Sequence, residues 1–449
     1  MGDAWRRDVR LEVDAAGRIV SLCPRSPDAA CEQVPGWTVP GVPNLHSHAF
    51  QRALAGLAEA AGPDSFWSWR EVMYRLAALP GPDEAEAIAL QLYIELLKAG
   101  FTCVGEFHYL HHPPAGGRYE DPAEMSRRIV RAAKRAGIGL VHMPAVYETA
   151  GLGGDPLTGS QLRFRLGLDE AVRIREILAE DCRGIGYGLG LALHSVRAVR
   201  PETFRRIHED PVAAGTPTHI HVAEQEREVH ECLAQRGARP VEWLLDRAPV
   251  DQGWCLVHAT HMTPAESAAV VDRGAVVGLC PTTEANLGDG LFPFGSFVRG
   301  GGRFGIGTDS HVSRSPVEEL RLLDYGQRLA TRARSVPRSG PGEPPGGAVA
   351  GAGGALLAQS WENGCRALAW DAGTVAVGKR ADLVVLDAGH PALLGRSGHA
   401  VLDSWVFSGT ENPVRDVMVG GEWVVRGGRH AHEEEAARGY STAVKASGS

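Results

Sequence analysis

The sequence predicts a (β/α)8 TIM-like barrel with a small β-sandwich built from its two ends, and three observations lead there. Eight apolar runs that end in polar residues alternate with helix-patterned stretches through the centre of the chain. Short strands with period-two alternation bracket this region at both ends. The 449 residues suffice for one large barrel of about 250 to 400 residues plus an accessory module.

In chain order, Asp8 to Leu22 reads DVRLEVDAAGRIVSL. Val9, Leu11 and Val13 alternate with polar residues before a turn at Gly17 and a second apolar run, a β-hairpin signature. The central runs are VPNLHSH, CVGEFHY, GLVHMPAVYE, YGLGLALHS, THIHVAE, WCLVHATH, AVVGLCPTTE and FGIGTDS. Helical candidates fill the gaps: from Asp83 to Ala99, Ile88, Leu92, Leu96 and Leu97 recur at helical spacing behind an acidic first turn. Residues 334–354, RSVPRSGPGEPPGGAVAGAGG, are rich in Pro and Gly and read as a flexible surface loop. KRADLVVLD (379–387) and VRDVMVGGEWVVRGGRH (414–430) then read as short strands with a Gly-Gly turn. The expected organisation is a sandwich from 1–40 and 372–440, a barrel over 41–371, and a frayed tail over 441–449.

The 46 Lys and Arg against 54 Asp and Glu give a net charge of −8 with no long block of either sign, which argues against a nucleic-acid or anionic-membrane partner. The first residues form no apolar signal core, and no apolar run reaches about 18 residues, so a cytoplasmic location is expected. Eight cysteines lack CxxC pairs, and Cys103, Cys255 and Cys280 sit in apolar strings that suit buried reduced thiols.

The notable polar residues fall at the C-terminal ends of the runs, where barrel enzymes build their sites. His46 and His48 lie two apart, so both side chains leave one face of a strand and can grip one cation. The fifth run adds His219, His221 and Glu224, the sixth His258 with His261 behind it, and the eighth Asp309. Three imidazoles with one carboxylate make a site that suits zinc and leaves a position for water. The bland alternative, ordinary core or surface histidines, does not explain why the set collects at strand ends. His219 reads as packing or support for His221, the cluster His108, His111 and His112 as the cap of a loop, and Trp67 and Trp69 as packing residues.

The order HxH, His, His, Asp on successive strands, with HVAE after the fifth, resembles the amidohydrolase superfamily and, within it, the deaminases that use a single metal. The resemblance implies one Zn2+ (or another divalent transition metal) held by His46, His48, His221 and Asp309. It further implies Glu224 as the catalytic acid and His258 as a hydrogen-bonding histidine, with Asp309 taking a proton as well as binding metal. His194 stands where two-metal relatives carry a bridging lysine, which favours one metal; it is read either as a substrate contact or as a structural histidine. HSHAFQRALAGL (46–57), EFHYLHH (106–112), ALHSVRAV (192–199) and GTDSHVSRSPVEELRLLDYGQRL (307–329) are similar to the branch of the superfamily that deiminates a formimino amino acid in histidine degradation, over roughly residues 5–425.

That branch implies hydrolysis of N-formimino-L-glutamate to N-formyl-L-glutamate and ammonia. Such a small-molecule dicarboxylate calls for cations in the pocket, for which Arg197 and Arg70 are the candidates, Arg70 on a possible lid helix in FWSWREVMYR. Solvated ion pairs are the bland reading of both. Gln51 and Tyr109 are candidates for neutral hydrogen bonds to substrate. The alternative function is a deaminase of a nucleobase or related cyclic amidine with the same zinc chemistry, against which paired arginines argue. A non-catalytic relative would have lost ligands, and all are present. The resemblance also implies a homodimer.

Overall fold

The computed structural model describes residues 5–26, 30–57, 59, 69, 72–74, 77, 80–114, 116–184, 186–207, 209–210, 213, 215–334, 336, 351–409 and 411–446. The hairpin at the start is β1 (Arg10–Val13) against β2 (Ile19–Cys23), antiparallel. After β3 (Trp37–Pro40) the barrel begins with β4 (Val42–Ser47), β5 (Phe101–His108) and β6 (Gly139–Val146). It continues through β7 (Gly188–Leu189), β8 (Leu191–Ser195), β9 (Thr218–Val222) and β10 (Trp254–His258), and ends with β11 (Val276–Leu279) and β12 (Arg303–Ile306).

Every one of the eight apolar runs contains a barrel strand. Neighbours pair in parallel in chain order, the fourth run being split so that β7 and β8 both pair with β6. The eighth strand closes on the first through the amides of Thr308 and Asp309, each 3.1 Å from the His46 carbonyl, and the amide of His48, 3.2 Å from the Asp309 carbonyl. This close seam needs Gly307, because a Cβ there would lie 2.7 Å from His46 Cβ and 2.9 Å from its carbonyl oxygen.

Period-two alternation sorts the strand side chains into two hydrophobic clusters: Val104 of β5 packs toward the helices, whereas Cys103 and Phe107 join Leu45, Met143, Ala145, Cys255 and Val257. The helix predicted over 83–99 is Pro82–Ala99. Pro82 opens it, the Gly81 amide donates to Glu84 Oε2 at 3.0 Å, and Gly100 in the left-handed region (φ 103°) ends it.

The C-terminal strands β13 (Leu383–Leu386), β14 (Val414–Val419), β15 (Glu422–Arg426) and β16 (Arg429–His430) form an antiparallel sheet. Its order is β16-β15-β14-β13-β3, so the segment before the barrel pairs with the segment after it. Gly420 and Gly421, at φ 54° and 84°, supply the Gly-Gly turn. The β1–β2 hairpin makes its own two-stranded sheet, joined to this module where Arg18 bridges Arg380 and Ile19 packs with Ala381, Leu383 and Met418. Together these antiparallel sheets from the two ends are the β-sandwich beside the barrel.

Two expectations are corrected. Residues 441–446, read as a frayed tail, complete the helix Glu433–Ala446, because Ala443 is buried, the Tyr440 hydroxyl donates to the Arg52 carbonyl at 3.2 Å, and Glu433 pairs with Lys98 at 2.6 Å. Ala352–Gly354, read as the end of a loop, already form the first turn of the helix Ala352–Ala367, where the Gly353 amide donates to Asp403 Oδ1 at 2.7 Å. The rest of the Pro/Gly-rich stretch, at 335 and 337–350, lies outside the described residues. Among the described residues no helix is long and apolar enough to cross a membrane, and no two cysteines form a disulfide.

Candidate metal centre and its surroundings

Two of the candidate site residues, His258 and Asp309, leave the barrel where the backbone departs from ordinary strand geometry. Ala223, His258, Ala259, Asp309 and His311, at the ends of β9, β10 and β12, all have φ between 45° and 65°. A non-glycine residue held there costs on the order of 1–3 kcal/mol, a cost that packed surroundings sustain at functional sites.

His46, His48, His221 and Asp309 converge, with one ligand atom of each lying within 4.8 Å of all the others. The Nε2 atoms of the three imidazoles form a triangle: 3.2 Å from His46 to His48, 3.3 Å from His48 to His221 and 3.0 Å from His221 to His46. Asp309 Oδ1 lies 3.5 Å from His46 Nε2 and 3.3 Å from His48 Nε2. His48 donates its Nδ1–H to the Phe107 carbonyl and His221 donates its own to the His194 carbonyl, both at 2.8 Å. The Nε2 atoms of those two rings therefore carry lone pairs, and at most one proton, on His46, is left for three contacts. A divalent cation resolves this crowding: nitrogens bound to tetrahedral zinc at about 2.0–2.1 Å sit about 3.3 Å apart. Burial, with the neighbouring imidazoles adding to it, holds His46 and His221 well below the usual histidine range. Burial also lowers His48, against an opposing pull from Asp309. The lowered values favour the neutral imidazole, the form in which a histidine can bind a metal ion.

Beside this centre, His258 Nε2 lies 3.8 Å from Glu224 Oε1 and 3.7 Å from Asp309 Oδ2, while its Nδ1–H donates to Glu284 Oε1 at 3.2 Å. Burial disfavours the imidazolium, but the carboxylates of Glu224, Glu284 and Asp309 outweigh it and raise the pKa of His258. Burial raises Glu224 above the usual carboxylate range, opposed by His258 and Arg197. An acid kept protonated beside a charged imidazole is an arrangement suited to proton transfer near neutral pH.

Of the other sequence-predicted residues, Gln51 donates to the Tyr109 hydroxyl at 2.6 Å, and the Tyr109 ring stands edge-on to His48 and His194 at 4.8 and 5.5 Å. His194 is half-buried against Tyr147, and its carbonyl rather than its ring supports His221. Arg197 is half-buried, its Nε without a hydrogen-bond partner among the described residues, and its charge acts on Glu224 and Glu228. Arg70 lies outside the described residues. His219, read as packing or as support for His221, packs: it is buried and its Nε2–H reaches the Ala367 carbonyl at 3.0 Å. His111 and His112 do fix the loop after β5, through bonds to the Ala145 and Arg165 carbonyls at 3.1 and 2.7 Å.

Sequence reasoning missed the groups that hold these side chains. Buried Glu106 accepts from Ser47 Oγ and the Ala49 amide, both at 2.7 Å, and from the Tyr93 hydroxyl at 3.1 Å, so one carboxylate clamps the segment between and after the two β4 histidines. Burial raises its pKa to about 7. His311 bonds Thr308 Oγ1 at 2.9 Å and Ser47 Oγ at 3.3 Å, stapling the seam of β4 and β12 from behind. Glu228 accepts from the amides of Ala223 and Glu224 and fixes the turn that presents Glu224. Glu106 and His311 stand in the stretches EFHYLHH and GTDSH, and Glu284 ends PTTE in the seventh run, but nothing in those stretches names their partners.

Comparison with known proteins gives concordant findings. The profile of the amidohydrolase family matches residues 37–424. The formimidoylglutamate deiminase of Pseudomonas aeruginosa is 50% identical over 443 residues, covering 98% of this chain and 95% of its own. The crystal structure of an amidohydrolase from Brucella melitensis superposes with a TM-score of 0.91 at 42% identity, covering 99% of this chain and 96% of that one. An adenosine deaminase from Xanthomonas campestris, crystallised with bound zinc, shares the fold with a TM-score of 0.78 at 22% identity, over 98% of this chain and 94% of its own.

Proposed function

We propose that this chain, which belongs to the amidohydrolase family and is a hydrolase acting on a carbon–nitrogen bond, converts N-formimino-L-glutamate and water into N-formyl-L-glutamate and ammonia. One observation carries the reading: the His258 imidazole stands within 3.8 Å of both an acid, Glu224, and a carboxylate, Asp309, beside three converging imidazoles. The 50% identity to the Pseudomonas aeruginosa deiminase supports the choice of substrate. The step belongs to histidine degradation, and the reading carries with it a cytoplasmic homodimer.

In this reading one zinc ion is held by His46, His48, His221 and Asp309, and when bound it lowers the pKa of a water molecule towards about 7. Asp309 Oδ2, the oxygen turned to His258, accepts the proton that the attacking water gives up. His258 donates a hydrogen bond from Nε2 to the oxygen adding to the formimino carbon. Glu224 delivers a proton to the departing nitrogen, the C–N bond breaks as the new hydroxyl gives up its remaining proton and becomes the formyl carbonyl, and the two protons lost by the water are carried off in ammonia, restoring Glu224 and Asp309. Arg197 and Arg70 bind the two carboxylates of the substrate, with Gln51, Tyr109 and His194 lining the same pocket.

The test is ammonia release from N-formimino-L-glutamate against guanine, cytosine and adenosine, with metal analysis of the same preparation. Turnover of the formimino substrate alone is expected. Turnover of a nucleobase or nucleoside without it would overturn the substrate assignment while leaving the metal assignment standing.

A further inference from the structure

Outside the residues used above, the most unusual group in the site is Asp289. It belongs to the loop after β11, five residues beyond Glu284, and its amide donates to the Glu284 carbonyl at 2.9 Å. The side chain is 3% exposed. Its Oδ1 accepts from Gln225 Nε2, which ties it to the residue next to Glu224. Its Oδ2 is buried without a hydrogen-bond partner among the described residues. A buried carboxylate oxygen left unpaired costs several kcal/mol unless something else binds it, on the order of the penalty for any buried polar group or more. The charges that act on it are Glu224, His258, Glu284 and Asp309, the residues grouped around the reaction centre.

Charge points to what that something is. Glu224, Glu228, Glu284, Asp289 and Asp309 are all buried around this point. Acids crowded together in this way favour a cation over an anionic or neutral group as the ligand of Asp289. Burial and the charge of Glu224 push the Asp289 carboxyl well above its usual range, as expected of an acid waiting for a cation. An amidine is protonated at neutral pH and presents N–H donors in a plane, so it brings one positive charge and donors suited to a carboxylate oxygen.

We propose that Asp289 is a substrate-binding residue whose Oδ2 accepts a hydrogen bond from the protonated formimino group, selecting a cationic amidine head over a neutral ring or amide. The inference rests on the proposed function and adds to it the residue that reads the charge of the reacting group. A fixed structural role, locking Gln225 to the loop after β11, is the competing account.

The experiment compares two ligands by calorimetry on the metal-loaded enzyme: N-acetimidoyl-L-glutamate, a cationic amidine, and N-acetyl-L-glutamate, its neutral amide counterpart. In Asp289→Asn the amidine is expected to bind about 10- to 100-fold more weakly, the size of one charge-assisted hydrogen bond, while the amide changes less than about twofold. Gln225→Leu, which removes only the Oδ1 partner, is expected to preserve the wild-type preference for the amidine. Equal weakening of both ligands in Asp289→Asn, or the same loss of preference in Gln225→Leu, would overturn the proposal in favour of the structural lock. Wild-type enzyme that releases ammonia from N-formimino-L-glutamate while Asp289→Asn retains full amidine preference would sink this inference alone. Wild-type enzyme that neither turns over the formimino substrate nor binds the amidine would sink the proposed function and this inference together.

Discussion

Replacing Glu284 by Gln isolates the charge that stabilises His258. The two groups meet at 3.2 Å, with His258 1% and Glu284 5% exposed. At that distance a unit-charge pair is worth about 5 kcal/mol at an effective dielectric constant of about 20, much of it offset by the cost of burying both charges. The difference between a charge-assisted and a neutral hydrogen bond, about 1–1.5 kcal/mol, is the better guide to the net loss. Gln keeps an oxygen that can accept from both His258 Nδ1 and the Cys280 amide, 2.8 Å away, so the fold survives. If His258 acts protonated, as its raised pKa indicates, kcat falls about tenfold with KM nearly unchanged. The imidazolium also loses its proton at lower pH, moving the alkaline limb of kcat/KM down by about one pH unit. Steady-state kinetics across pH 6 to 10 provide the assay. An unchanged kcat with an unmoved alkaline limb would refute the role given to Glu284.

Three further outcomes follow from the same geometry. Ser47→Ala and Glu106→Gln loosen the clamp on the β4 histidines and are expected to weaken metal binding about 10- to 100-fold, read by chelator competition, with secondary structure intact. Arg197→Met removes one charged contact to a substrate carboxylate and is expected to lower kcat/KM about 10- to 150-fold; wild-type kinetics would place Arg197 outside the pocket. Buried His108, His111 and His142 are neutral in the fold, that of His142 having its pKa lowered to about 3 by burial. The unfolded chain takes up protons below about pH 6.5 while the folded one does not, so stability is full above that pH. It falls by about 1.4 kcal/mol per pH unit for each histidine as the pH drops toward the folded-state value. His142→Leu is therefore expected to flatten the dependence of Tm on pH between 6.5 and 4.5.

The barrel was legible because parallel strands buried on both faces read as continuous apolar runs, and all eight do so here. The convergence of His46, His48, His221 and Asp309 was legible for a related reason: each ends such a run, and a barrel collects strand ends on one rim. Glu106, Glu228, Asp289 and His311 were not, because their importance depends on which loops meet across the rim, and nothing in the local pattern of an acid or a histidine records its partner. For His219 the sequence left packing and support of His221 both open, because period two places the two histidines on one face without saying how far along the barrel axis each partner lies. Residues 441–446, the end of the C-terminal helix, were misread as tail because their polar composition hides buried Ala443, and the helix they complete is held by Tyr440 and Glu433 to Arg52 and Lys98, more than 300 residues away.

The central claim is that His46, His48, His221 and Asp309 clasp one catalytic cation. The most direct measurement is metal content and ammonia release from N-formimino-L-glutamate on the same sample before chelation, after it, and after stoichiometric zinc is restored. One ion per chain, activity that vanishes with the ion and activity that returns with it are the expected results. Undiminished turnover by fully chelated enzyme would contradict the account.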